Sequence, residues 1–176
     1  MRIDGSTRTL IAANRQVLRQ GLELLGQLDD RVYREVNSPL LAYGVGSHFR
    51  HCLDSYQCLL NGLASGRVDY DQRERDRRIE TDRGWAMAHL EAIRSRLADL
   101  PAEAQLPLVA RLDSPSWAVT SLPRELQYLL SHTIHHYALI ALMLRLQGSC
   151  PPDDFGVAPS TLDYWQSREA EFGEAA

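Results

Sequence analysis

Lysine is missing from this 176-residue chain, and all 19 of its basic residues are arginine. They are scattered and alternate with acids, and the formal net charge is -4. Nucleic acid is gripped by a concentrated basic stripe, so this balance excludes an electrostatic nucleic-acid binder. Cysteine is scarce: Cys52, Cys58 and Cys150 are odd in number and not in CxxC spacing, which argues against a disulfide framework and a thiolate zinc site. Cys52 and Cys58 fall in a helix-like apolar stretch and read as small core residues. No run approaches the ~18 apolar residues of a membrane span, and the N-terminal MRIDGSTRTL has no apolar signal-like region. These absences lead to the expectation of a cytoplasmic protein without a membrane partner. The chain also lacks internal repeats, low-complexity blocks, and the glycine patterns of P-loop and dinucleotide-binding folds.

What is present is helical periodicity. A chain of this length suits one domain with a sizeable core. The first apolar-striped segment runs from about Ser6 to Val36, capped by Ser6 or Thr7 and broken at Asn37-Ser38-Pro39. The second runs from about Tyr43 to Ala64 and stops at Gly66. The charged stretch Asp69–Asp82 reads as a solvated connection. Thr81 or Asp82 caps a third helix reaching about Leu100, with Trp85, Ala88, His89, Ala92, Ile93 and Leu97 at helical spacing. Between Leu106 and Leu122, two short β-favouring runs flank Asp113-Ser114-Pro115-Ser116 and suggest a small hairpin or an extended crossover. Ser121 caps a fourth helix to about Leu146, with Pro123 in its first turn, Glu125 near a capping-box position, and Gly148 as its stop. The expected architecture is all-α. Residues 1–150 form a helical bundle with a long crossover between the third and fourth helices, and residues 151–176 form a partly ordered tail with a short helix from about Ser160.

Five of the six histidines fall into two tight groups, His48 and His51 on the second helix and His132, His135 and His136 on the fourth. At ~100° per residue, His132 and His136 lie ~40° apart one turn along the helix, so they can share one ion through neutral imidazole nitrogens. His135 is rotated away from both. Leu129, Leu139, Ile140 and Met143 continue the stripe of the pair, which places it on or beside the core face. A histidine from the second helix can then meet it at a common depth, with either His48 or His51 as the third ligand. Three histidines leave an open coordination position, which suits a catalytic rather than a structural metal.

Ser131-His132-Thr133-Ile134-His135-His136, with the following Leu139, Leu142, Leu144-Arg145-Leu146 and Gly148, resembles the last-helix motif of the DinB-like superfamily. His51-Cys52-Leu53-Asp54-Ser55 is similar to that superfamily's second-helix pattern. The resemblance implies an up-down-down-up four-helix bundle. It implies one divalent ion, zinc or nickel, held by His51, His132 and His136. It further implies a small-molecule substrate or a low-molecular-weight thiol, in a thiol transferase-like reaction or in non-catalytic ligand binding, and a homodimer. In a reaction, His48 is the candidate catalytic residue, as a general base, with a fourth ligand or a supporting neighbour as its other roles. Asp54 is a candidate to orient an imidazole. Tyr56, Tyr128 and Tyr137 are candidate pocket hydroxyls, and Arg50 and Arg145 are candidate clamps for an acidic cofactor.

Overall fold

A computed structural model describes residues 4–35, 43–101 and 107–173. The break expected at Asn37-Ser38-Pro39 and the acidic end beyond residue 173 lie outside these. The fold is mainly helical, with one small three-stranded sheet. Among the described residues, no helix is long and apolar enough to cross a membrane.

Helix α1 (Asp4–Gln27) is already formed ahead of Ser6 and Thr7, so neither caps it. It also stops well short of Val36. Asp29 turns the chain out of helical geometry and caps the short α2 (Asp30–Arg34) by accepting from the Val32 amide at 2.8 Å. Helix α3 (Val45–Gly62) carries the first histidine group and ends in a 3-10 turn, Leu63–Ser65. Gly66, at φ +71°, supplies the left-handed stop that its position suggested.

The charged stretch is more ordered than a solvated loop. It begins in strand β1 (Arg67–Asp69) and ends in helix α4 (Arg77–Thr81), capped by Asp76. Charged groups in it are held in place: Arg78 lies over the Trp85 ring, and Asp69 pairs with Arg111 further along the chain. Asp82, one of the two expected caps, opens α5 (Arg83–Ala98) by accepting from the Trp85 amide. The buried stripe of α5 is Ala86, Leu90, Ile93 and Leu97, and Ala88 and Ala92 face outward.

Strands β2 (Leu108–Arg111) and β3 (Ala118–Thr120) pair antiparallel across the Asp113–Ser116 turn, as the sequence suggested. The structure adds a partner: β1 joins β2 in parallel, with Arg67 opposite Val109. Ser121 caps α6 (Leu122–Leu146), with Pro123 in its first turn. Glu125 does not close a capping box. Its carboxylate instead turns toward the sheet and accepts from the Tyr70 hydroxyl at 2.6 Å and the Thr120 hydroxyl at 2.5 Å.

Helix α1 packs on α5 and α6, and α3 packs on α6, α5 and α4. Their shared core includes Phe49, Tyr56 and Tyr137, each fully buried. Asn14, also buried, ties three helices: its amide donates to the Leu126 carbonyl at 3.0 Å, and its oxygen accepts from the Tyr56 hydroxyl at 2.6 Å. After α6 the chain turns back, and Phe155 is buried against Tyr137 with rings stacked 4.5 Å apart. Helix α7 (Pro159–Gly173) follows, with Tyr164 and Trp165 exposed.

Candidate metal centre

The α3–α6 contact brings both histidine groups together. His51 Nε2 lies 3.1 Å from His132 Nε2, and His136 Nε2 lies 3.0 Å from the same atom. One ligand atom from each of these three residues falls within 4.8 Å of the other two. Tetrahedral zinc with bonds of ~2.0–2.1 Å has ligand edges of roughly 3.3 Å, so small outward movements of the rings would seat an ion. The donor set fits a divalent metal, and it leaves the identity of that metal open. Their burial is intermediate, on the flank of the core rather than within it.

The local physics keeps these rings neutral, as ligation requires. Burial is the first cause of a lowered pKa at every one of the four. It brings His51 to about 4, with His132, Arg73, Arg50 and His48 adding repulsion. It brings His136 to about 3, with His132, His51, His48 and His135 adding to it. His48 and His132 are lowered by burial and by His135, and His132 by Arg73 as well. In the unfolded chain these rings take up protons near their ordinary value of 6.5. Between that value and about 3 to 4, the unfolded state binds more protons than the folded one. Stability of the metal-free protein should therefore fall as pH drops from 6.5 toward 4, with no contribution from these groups above 6.5. Thermal melts in chelator across that range test this, and a flat or rising profile would contradict it.

His48 approaches the group from its outer side, with its Nδ1 2.9 Å from His136 Nδ1. It lines an open cavity of about 310 Å³ together with Tyr43, Ser47, Arg50, His51 and His136. His135 is exposed and does not reach the three Nε2 atoms, in keeping with its rotation on α6. Asp54 does not orient an imidazole. One turn beyond Arg50 on α3, it is bound to that guanidinium at 2.8 Å. Arg50 also pairs with Glu80, so its charge is balanced and it locks α3 to α4 rather than standing free as a clamp. Arg145 is exposed in the last turn of α6.

Of the three tyrosines, Tyr56 and Tyr137 are core residues. Tyr128 stacks on His132 at 5.4 Å and 10°, and it also lines a second cavity of about 380 Å³ beside β2 and β3. Cys52 is no candidate nucleophile, since burial pushes its thiol up to about 12. Cys58 is half-buried and raised to about 11 by burial and nearby carboxylates.

One contact had no signal in the sequence. Arg73, in the irregular segment between β1 and α4, places Nη1 3.2 Å from His51 Nδ1. Its neighbours alternate in sign, and only the path of the chain singles it out.

No family model matches the chain, and no solved structure matches it. Among curated proteins it is similar to FK506-binding protein 5 of Rhizopus delemar, at 33% identity over 104 residues. That stretch covers 55% of this chain and 27% of the fungal protein, so the chain spans only about a quarter of that relative's length.

Proposed function

We propose that the protein is a DinB-like four-helix bundle that holds one divalent ion, zinc or nickel, on His51, His132 and His136 and presents it to a small molecule. A low-molecular-weight thiol is the candidate ligand, in a transfer or hydrolysis reaction. The observation that carries this reading is the convergence of three neutral imidazoles, from α3 and α6, beside an open cavity. The four long helices α1, α3, α5 and α6 pack in a way that suits the bundle.

Three protein ligands leave a coordination position for a substrate. An ion held there would supply Lewis-acid chemistry, lowering the pKa of a bound thiol or water. The chain itself supplies the walls and the polar groups. His48 lines the cavity and contacts His136 through Nδ1, which leaves its Nε2 for a ligand. Ser47 and Tyr43 add hydroxyls to the same cavity. Arg50 is balanced by Asp54 and Glu80, so the cavity wall offers no unpaired arginine to an acidic cofactor.

Elemental analysis of protein purified under zinc- and nickel-replete conditions should find about one equivalent per chain. Less than about a tenth of an equivalent of any transition metal would sink the reading. Thermal-shift measurements with glutathione and smaller thiols then address the substrate class. Stabilisation confined to the metal-loaded protein supports a thiol ligand, whereas metal without any thiol response removes the thiol and leaves a metal-dependent binding site.

A further inference from the structure

Arg73 fixes the proton of His51. A guanidinium has N–H donors and no acceptor. His51 Nδ1 must therefore accept from Arg73, and the neutral ring carries its proton on Nε2. That Nε2–H faces His132 Nε2, which accepts, so His132 carries its proton on Nδ1. This Nδ1 is buried without a partner, consistent with its having been left over by the arrangement. His136 Nε2 approaches the same atom, whose single lone pair is already taken, so this contact leaves the proton of His136 free to sit on either nitrogen.

This order is incompatible with an ion. Ligation needs a lone pair on all three Nε2 atoms, and that of His51 carries a proton. On loading, the His51 proton would move to Nδ1, where it would face the N–H of Arg73, donor against donor. A ligating His136 would carry its proton on Nδ1 and donate it to His48 Nδ1, so His48 would hold its own proton on Nε2.

Resting on the metal-centre reading above, we propose that Arg73 is a positioning residue that holds His51 in the proton form an ion cannot use. Ion uptake and the departure of Arg73 from His51 are one event. Arg73 is suited to leave. Among the described residues no carboxylate pairs with it, its Nε is buried without a partner, and its segment is irregular. At the other end, the loaded protein presents His48 to the cavity as an Nε2–H donor. This corrects the general-base role expected of it: His48 would hold an acceptor or anionic atom of the ligand rather than remove a proton from it.

Two measurements decide this. Long-range proton–nitrogen correlations on histidine-labelled protein report which ring nitrogen is protonated. In zinc-free protein, Nδ1 of His51 should be unprotonated, and zinc should protonate it. A protonated His51 Nδ1 in the zinc-free protein would overturn the proposal. Zinc affinity by chelator competition is the second readout. Arg73→Gln, whose amide oxygen can accept from His51 Nδ1–H, should tighten zinc about tenfold or more. It should also exceed Arg73→Met, which removes the charge without offering an acceptor. Arg73→Lys, which keeps charge and donors, should stay near wild type. If wild type takes zinc and Arg73→Gln gains nothing, this proposal alone falls. If neither takes zinc, the metal reading falls and this proposal with it.

Discussion

Replacing His132 by leucine should abolish the stabilisation of the protein by zinc. His132 Nε2 is the atom that both other ligands face, at 3.1 and 3.0 Å, so its loss leaves two nitrogens on different helices with nothing between them. Removing a residue that merely supports a ligand costs roughly 10–100-fold in affinity, and removing the central ligand should exceed that range. At zinc about 1,000 times its dissociation constant, the wild-type protein should gain about 4 kcal/mol and the variant nothing. Without metal two effects oppose: leucine removes the buried, unpaired Nδ1, a state that costs about 1–3 kcal/mol, and it takes away the Nε2 that His51 faces, so the metal-free variant should differ little from wild type. Paired melts with zinc and with chelator test the two expectations separately. A variant that still gains stability from zinc would show that the ion sits elsewhere.

Gly46→Ala should lower stability by about 3 kcal/mol through overpacking, with the site folding less well as a consequence. Position 46 is in the first turn of α3, where the backbone of α4 passes over it. A Cβ there would clash with the Glu80 carbonyl oxygen and lie 2.8 and 3.0 Å from the Glu80 carbonyl carbon and Cα. All three are backbone atoms, so no side chain can rotate aside. Helix α4 is also pinned from its other side, where the Tyr33 hydroxyl donates to the Ile79 carbonyl. For a chain of this size, 3 kcal/mol corresponds to a fall of roughly 6–12 °C in melting temperature. Gly26→Ala is the control: nothing lies within 4 Å of its added Cβ, and alanine is the better helix former there. A Gly46→Ala protein that melts like Gly26→Ala would show that α4 can move away freely.

Where the sequence was informative, the information was local. His132 and His136 share a face because four residues span about one helical turn, and Gly66, Asp82 and Ser121 end or begin helices through their own backbone and side-chain chemistry. The turn between β2 and β3 was legible for the same reason. The features that were not legible depend on distant partners. Strand β1 exists because β2, 42 residues later, gives it a ladder. The long first helix divides because Asp29 finds the Val32 amide, a cap hidden among other charged residues. Glu125 looks like part of a helix cap until Tyr70 and Thr120 are brought beside it. Asp54 looks like a partner for histidine, and the arginine one turn before it takes that place. Arg73 is the clearest case: in a run of alternating charges, nothing marks it as a cation that meets a histidine.

The histidines that meet between α3 and α6 are separated by 81 and 88 residues along the chain. In an unfolded chain the pair on either segment can grip an ion only weakly. Parting α3 from α6 takes the three nitrogens apart, so an ion bound across them must be lost whenever the fold opens there. A tie of this kind, made late and lost early, leaves the speed of folding nearly unchanged and slows unfolding. What it governs is the lifetime of the folded molecule, so ion dissociation and unfolding should set each other's pace.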